Sequence, residues 1–217
     1  MSAPTILVEG NIAVGKSSIL QQYSQGGLVL AIPEPVDQWR NAGGRNLLED
    51  FYRDRKKHAF SFQSLVALTM IGAHRVPVKG HHRLKMMERS IWSSYNIFAK
   101  QLYNEGVLEP GDFSILTGYH REVCTWDYVQ ADKIIYIRAS PEICFKRAQN
   151  RERVEETGLS LSYFETLHGL LDAWLMADGE DEERSTLARP NCPVIVVDGE
   201  KSQAEIMGEM NGILGLH

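Results

Sequence analysis

The feature that most constrains this chain is the stretch from Thr5 to Ser18, TILVEGNIAVGKSS. It begins as a short apolar run of strand type and then shows the spacing G-x-x-x-x-G-K-S at Gly10, Gly15, Lys16 and Ser17. Glycines here allow backbone angles that turn successive N–H groups inward, and a helix that starts at Lys16 adds free N–H groups of its own. Such a loop binds phosphates, with the lysine on the outer phosphates and the serine hydroxyl on Mg²⁺. The sequence therefore predicts a nucleoside triphosphate site.

Most residues of this loop are expected to act through their backbone N–H groups, so their position matters more than their side chains. A glycine-rich turn that precedes a helix by chance is the alternative interpretation. The residues predicted to bind the phosphate donor are Gly10, Asn11, Ile12, Ala13, Val14, Gly15, Lys16, Ser17 and Ser18.

Composition narrows the class of protein. The 217 residues suffice for one large core, and we expect a single domain over residues 1–217. A net charge of −5 argues against a general nucleic-acid-binding surface, and no apolar run is long enough to cross a membrane. Because the first strand begins at Thr5, we expect no targeting segment before it.

The cysteine content indicates the compartment. Cys124, Cys144 and Cys192 are odd in number and lack metal-ligand spacing, so we expect reduced thiols that act as small buried hydrophobes. Reduced thiols predict an intracellular protein. The cytoplasm is the expected location, with mitochondria and nucleus left open.

Apolar runs alternate with helical segments along the chain. After the run that begins at Thr5, strands are expected at Leu28 to Ile32, Arg83 to Met87, Lys133 to Ile137 and Pro193 to Val197. Helices are expected from Lys16 to about Gln25, from Arg45 to His74 as two consecutive helices, from Ile91 to about Glu105, from Phe113 to Val129, from Pro141, from Ser160 to about Ala177, and from Ser202 to Leu214. Loops are expected from Trp39 to Gly44, at Pro110-Gly111, and over the acidic residues 179–189. This alternation predicts a three-layer α/β/α fold with a five-stranded parallel sheet.

Charged residues follow two of the predicted strands, at the sheet edge where open α/β folds bind ligands. Glu34 lies between Pro33 and Pro35, and a residue before proline is held extended. Phosphate transfer to a small alcohol needs a carboxylate base, a metal and several cations around the γ-phosphate. The residues that could supply these parts are Glu34, Glu88 with Ser17, and Lys16, Arg89, Arg151 and Arg153. An exposed strand-end carboxylate and a surface ion pair are the alternatives for Glu34 and for Glu88 with Arg89.

Other nucleotide-binding classes fit less well. A switch GTPase would need an Asn-Lys-x-Asp motif, which is missing, and a large ATPase would usually show Asp-Glu where the third strand ends in Glu-Arg-Ser. A thymidylate-type kinase would need extra cations beside its acceptor, which already carries a phosphate. A nucleotide-binding sensor would need no catalytic base.

Several ordered motifs resemble those of the deoxyribonucleoside kinases. They are E-G-N-I at Glu9, E-P-V at Glu34 followed by Trp39, N-L-L-E at Asn46 with Tyr52, F-Q-S at Phe62, E-R-S at Glu88 and R-E-R-V-E-E at Arg151. The resemblance runs from Ile6 to about Leu175. It implies ATP as donor, Mg²⁺, a homodimer, and phosphorylation of a deoxynucleoside at its 5′-hydroxyl for nucleotide salvage.

The resemblance also implies catalytic roles. Glu34 matches the catalytic base, Arg89 the arginine that holds that base and the reacting oxygen, and Glu88 the carboxylate beside the metal. A short lid at about residues 151–158 would close on the phosphates through Arg151 and Arg153. A basic pair on a solvated helix is the alternative for these two arginines.

Nucleoside-binding roles follow in the same way. Gln63 matches the residue that pairs with the pyrimidine edge, because its amide offers a donor and an acceptor together. Tyr52 and Glu156 match the pair that binds the sugar 3′-hydroxyl, and Trp39 and Phe98 match the aromatic walls of the base pocket. Plain core packing is the alternative for the aromatic residues, a helix cap for Gln63, and an exposed helix charge for Glu156.

Three further positions bear on which nucleobase the substrate carries. Val66, Met70 and Ser94 fall where pyrimidine-preferring members keep small or neutral residues. Members that favour deoxycytidine and purines carry an arginine and an aspartate at the positions of Met70 and Ser94. The resemblance therefore implies thymidine and deoxycytidine as substrates, while Met70 could instead fill the core.

Overall fold

The computed structural model describes residues 3–150, 158–176 and 189–216. Within these ranges the strands are β1 (Thr5–Gly10), β2 (Val29–Ile32), β3 (Leu84–Glu88), β4 (Lys133–Arg138) and β5 (Val194–Asp198). They form one sheet in the order β2-β3-β1-β4-β5, and every neighbouring pair is parallel. The predicted five-stranded parallel sheet is confirmed.

Helices cover both faces of this sheet and complete the predicted three layers. They are α1 (Lys16–Gln25), α2 (Val36–Arg40), α3 (Leu47–Arg53), α4 (Arg55–Arg75), α5 (Ile91–Ser93), α6 (Lys100–Asn104), α7 (Pro110–Val123), α8 (Pro141–Gln149), α9 (Leu161–Leu175) and α10 (Gln203–Leu214). A π-helical segment, Ser94–Ala99, joins α5 to α6, and a 3₁₀ turn, Asp127–Val129, follows α7.

The middles of the central strands β1 and β4 are apolar because helices cover both of their faces. Leu7 and Val8 of β1 and Ile134 and Ile135 of β4 are fully buried. The carboxyl end of β1 leads directly into the loop before α1. The strand order therefore places the phosphate-binding motif at the middle of one sheet edge, where α/β folds bind ligands.

Capping side chains explain several helix boundaries. Asp54 separates α3 from α4 and accepts a hydrogen bond from Lys57 N at 3.2 Å, which accounts for the two consecutive helices. Ser160 caps α9 by accepting from Tyr163 N at 3.3 Å, which agrees with the predicted start of this helix. Ser202 opens α10 with a capping box.

Several predictions about helices and loops were wrong. Trp39 lies in the short helix α2 and not in a loop. Pro110 is the first residue of α7, since a proline at this position loses no helical hydrogen bond, and α7 ends at Val123, well before Val129. The predicted helix from Ile91 is interrupted by the π-helical segment.

Part of the prediction lies outside the described residues. This applies to Arg151, Arg153 and Glu156, to nearly all of the predicted lid at about 151–158, and to nearly all of the acidic stretch 179–189. Within the described ranges, no helix combines the length and apolar character that crossing a membrane requires.

Candidate active site

The loop after β1 has the backbone shape that its glycines predict. Gly10 and Gly15 have φ angles of 151° and 115°, and Ala13 also lies in the left-handed region at 58°. A Cβ atom on Gly10 would come within 2.5 Å of the Ile137 carbonyl oxygen. Position 10 therefore requires glycine for both its angle and its surroundings.

Lys16 begins α1 and is buried beneath this loop. Its Nζ donates to the carbonyl oxygens of Gly10 at 3.1 Å and Asn11 at 2.7 Å. Burial, followed by the charge of Arg89, lowers the pKa of Lys16 to about 8. The Asn11 side chain donates to the Phe164 carbonyl at 3.0 Å, which ties the loop to α9.

Ser17 and Glu88 bring two oxygen ligands together. The Ser17 hydroxyl donates to Glu88 Oε1 at 2.7 Å. A hydroxyl and a carboxylate suit Mg²⁺, which usually takes one or two protein oxygens and completes its shell with phosphates and water. Across the described ranges, no group of three or more His, Cys, Asp or Glu side chains could hold a metal by itself. The pair therefore fits a metal that arrives with a nucleotide.

Residues 88–90, which we call the Glu-Arg-Ser corner, turn sharply at the end of β3. Arg89 has a left-handed φ of 60°, so the three side chains point in three directions. Glu88 faces the phosphate loop, Arg89 Nη1 donates to the Gly10 carbonyl at 3.2 Å, and the Ser90 hydroxyl donates to Glu9 Oε1 at 2.6 Å. One backbone bend thus supplies three parts of the site.

Glu34 meets this corner from the end of β2. Its Oε1 lies 3.0 Å from Arg89 Nε, and the two side chains are 16% and 6% exposed. The Arg89 guanidinium also stacks over the Phe98 ring at 4.7 Å. Glu34 and Lys16 both line a single cleft. The carboxylate between two prolines therefore faces the glycine loop across an open space.

This cleft spans about 820 Å³, part of it open to solvent, and most of the predicted site residues line it. Predicted residues in its wall are Ile12, Ala13, Lys16, Glu34, Trp39, Tyr52, Gln63, Val66, Glu88, Arg89, Ser94 and Phe98. Met70 is different: it lies on α4 with only 1% of its surface exposed and does not line the cleft.

Aromatic rings form the end of the cleft remote from the loop. Trp39 packs edge-on against Phe62 with centroids 5.7 Å apart, and Phe62 stacks on Phe51 at 4.7 Å. The Trp39 indole donates to the Thr69 hydroxyl at 2.9 Å, which fixes the ring. Gln63 is buried in the same wall. A flat, apolar slot with one buried amide suits a planar heterocycle.

A second cleft of about 680 Å³ opens on the other side of the loop. It is lined by Ala13, Gly15, Lys16, Ser17, Ser18, Glu88, Arg147 and Asn150. Arg147 Nη1 donates to the carbonyl oxygens of Gly199 at 2.8 Å and Val14 at 3.3 Å. Lys16 and Glu88 line both clefts, so the loop stands between a space for a phosphate donor and a space for an acceptor.

Sequence reasoning missed some residues of the site. Glu9 is completely buried, which raises its pKa to about 7 against the opposing charge of Arg89. A carboxylate inside an apolar strand was the signal for Glu9, and a basic residue on the helix before the predicted lid was the signal for Arg147. Tyr163 and Gln101 also line the larger cleft, and no local motif marks them.

Two clefts that meet at a glycine-rich loop, with a carboxylate and cations between them, define a P-loop phosphotransferase. A family model described as deoxynucleoside kinase matches residues 6–213. The chain belongs to the deoxynucleoside kinase family, and the resemblance given by the sequence motifs is confirmed.

Individual relatives agree with this membership. Human mitochondrial thymidine kinase 2 is 35% identical over 195 residues, which cover 90% of this chain and 70% of the relative. A probable deoxycytidine kinase of fowlpox virus is 31% identical over 205 residues, covering 94% and 86%. Mouse deoxycytidine kinase is 33% identical over 196 residues, covering 79% and 75%. The protein is thus an enzyme, a deoxynucleoside kinase.

Proposed function

We propose that this kinase transfers the γ-phosphate of ATP to the 5′-hydroxyl of thymidine and deoxycytidine, for nucleotide salvage. The observation that carries the proposal is the position of Glu34, which lies 3.0 Å from Arg89 Nε in a cleft that Lys16 also lines. A carboxylate held beside a reacting alcohol can take its proton during the transfer.

Each residue at the phosphate end has one task in this mechanism. Glu34 accepts the proton of the 5′-hydroxyl, and Arg89 orients Glu34 and the reacting oxygen. Lys16 and the loop N–H groups hold the donor phosphates, and Arg151 and Arg153 would close over them. Mg²⁺ held by Ser17 and Glu88 would neutralise charge on the phosphates.

The remote end of the cleft supports a nucleoside acceptor. Gln63 would pair with the pyrimidine edge between the rings of Trp39 and Phe98, and Tyr52 with Glu156 would bind the 3′-hydroxyl. Val66, Met70 and Ser94 would set the preference for pyrimidines, Met70 from behind the wall. Relatives named as thymidine and deoxycytidine kinases, at 31–35% identity, support this range.

A thymidylate-type kinase is the rival enzyme. Its acceptor carries a phosphate, which needs cations beyond those that serve the donor. Among the described residues of the larger cleft, the cationic side chains are Lys16 and Arg89. Lys16 already serves the donor phosphates, and Arg89 is paired with Glu34. Steady-state rates with thymidine and with its 5′-monophosphate would decide, and faster turnover of the monophosphate would contradict our proposal.

Replacement of the proposed base is the central test. We expect Glu34→Gln to lower kcat by about 10²- to 10⁴-fold with the fold intact, because the variant cannot accept the proton. Asp37→Asn, an exposed change on the adjacent helix, serves as the matched control. Near-normal turnover in Glu34→Gln would remove Glu34 from this role and favour a different base.

We further propose a homodimer through α4 and α7. These adjacent helices expose Leu68, Ile115 and Tyr119, which are 67%, 45% and 50% accessible. Ile115 and Tyr119 stand one turn apart on the same face. Light scattering should give twice the chain mass, and Ile115→Glu should give the monomer.

The cysteines support the proposed intracellular location. All three are free, and burial raises the pKa of Cys124 to about 12. Such thiols stay protonated and unreactive, as expected in a reducing compartment. The cytoplasm remains our proposal, while the mitochondrial relatives keep that organelle as the other candidate.

A further inference from the structure

Gln101 lies in the wall of the larger cleft without a role in the reaction proposed above. The residue is 1% exposed, and its amide Nε2 has no hydrogen-bond partner among the described residues. Its Oε1 faces Arg55 Nη2 at 3.5 Å. Because a guanidinium group only donates, this contact identifies which amide atom is the oxygen. The atom left without a partner is therefore a donor.

An unpaired donor in a buried position is costly, and native proteins seldom retain one without a use. Leucine would fit this position with no such cost. Gln101 lines the cleft together with Ser94 and Phe98, which lie in the π-helical segment directly before α6. The position of the amide therefore indicates a ligand that carries an acceptor oxygen.

Arg55 shows which part of the cleft Gln101 serves. Its guanidinium lies over the rings of Phe51 at 5.9 Å and Tyr163 at 5.8 Å, and it pairs with Glu105 at 2.8 Å. Arg55 and Tyr163 also line an adjoining cleft together with Tyr52, the residue proposed for the 3′-hydroxyl. Gln101 thus belongs with the residues around the sugar, whereas the base would lie between Trp39 and Gln63.

We propose that Gln101 is a further nucleoside-binding residue whose amide donates a hydrogen bond to the 3′-oxygen of the deoxyribose. Arg55 holds the amide in the orientation that this bond requires. The inference rests on the proposed function, because the acceptor must be a deoxynucleoside. It adds a third proposed contact with the 3′-oxygen, beside those of Tyr52 and Glu156.

The test compares thymidine with 3′-deoxythymidine, which keeps the reacting 5′-hydroxyl and lacks the 3′-oxygen. For Gln101→Leu we expect the Kd and KM for thymidine to rise about three- to tenfold, the range of one neutral hydrogen bond. Both constants should stay at their wild-type values when 3′-deoxythymidine is the acceptor. The melting temperature should not fall, because the substitution removes an unpaired donor.

Two further variants complete the experiment. Gln101→Glu keeps the shape and the Arg55 contact but loses the donor. If the leucine variant fails to fold, thymidine and 3′-deoxythymidine can be compared with this variant instead. Asn104→Leu, on the exposed side of the same helix, is the matched control and should bind both nucleosides normally.

Equal changes for both nucleosides, or no change for thymidine, would overturn the role of Gln101. In those cases the wild-type enzyme still phosphorylates thymidine, and the proposed function stands. Calorimetry that detects no binding of either nucleoside to the wild-type enzyme would overturn both proposals together.

Discussion

The two ends of the larger cleft are built in different ways. At the phosphate end, polar groups already hold one another, with Lys16 on two loop carbonyls and Ser17 on Glu88. At the base end, the walls are rings such as Trp39 and Phe62, which contact each other edge to face. The first end is fixed by backbone geometry, and the second by the packing of side chains from separate helices.

This difference indicates how each end should respond to change. Preorganised charges act where charge develops in the transition state, so a single loss there affects the rate strongly. An apolar wall contributes shape, and shape tolerates substitutions that conserve volume. We therefore expect large effects on kcat at the phosphate end and smaller effects on KM at the base end.

After replacement of the proposed base Glu34, the largest effect is expected at Lys16. Lys16→Met should lower kcat by about 10²- to 10³-fold, because the variant loses a positive charge that faces the transferring phosphate. Nucleoside binding, measured by calorimetry, should change little. Lys57→Met, an exposed change on α4, is the control. A kcat close to that of the wild type would mean that a group other than Lys16 supplies this positive charge.

The second prediction concerns Glu9, the buried carboxyl group that Ser90 contacts, and its effect on stability. Burial raises the pKa of Glu9 from 4.5 to about 7, so the folded protein binds this proton more tightly than the unfolded chain. Ionising Glu9 therefore costs stability as pH rises from about 4.5 to about 7. Glu9→Gln removes this cost, and its stability relative to the wild type should improve by about 3 kcal/mol across that window.

Urea denaturation of both proteins at the two ends of that pH window measures this difference. The sign matters: the gain should be greatest at high pH and should shrink as the solution is acidified. Parallel stability curves for the two proteins would show that Glu9 keeps one protonation state throughout.

The smallest effect is expected at the base end. Gln63→Leu should raise the KM for thymidine about tenfold with kcat almost unchanged, because it removes two neutral hydrogen bonds made equally in the ground and transition states. Gln38→Leu, exposed on α2, is the control. A loss of kcat that equals the change in KM would mean that the two ends are coupled and not independent.

The sequence allowed the fold and the phosphate end to be predicted because both depend on local patterns. Buried strands such as β4 are continuous apolar runs, and serines at positions 160 and 202 mark helix starts. The phosphate loop depends on two glycines and a lysine within seven residues. These signals need no knowledge of the rest of the molecule.

Contacts between distant segments could not be predicted in this way. Glu9 gains its role from Ser90, 81 residues away, and Arg147 from Gly199, 52 residues away. The orientation of Trp39 depends on Thr69, which lies on another helix. The start of α7 was missed because a proline both interrupts a helix and begins one, and only its position distinguishes the two.

The Glu-Arg-Ser corner has a consequence for redesign. Its three neighbouring side chains serve the metal pair, the proposed base and the buried acid at once, and all of them depend on one left-handed residue. A mutation in this corner would disturb three tasks together. Val66 and Gln63, by contrast, stand on a regular helix and can be exchanged one at a time. An engineer who wants new nucleosides accepted should randomise α4 and leave the corner untouched.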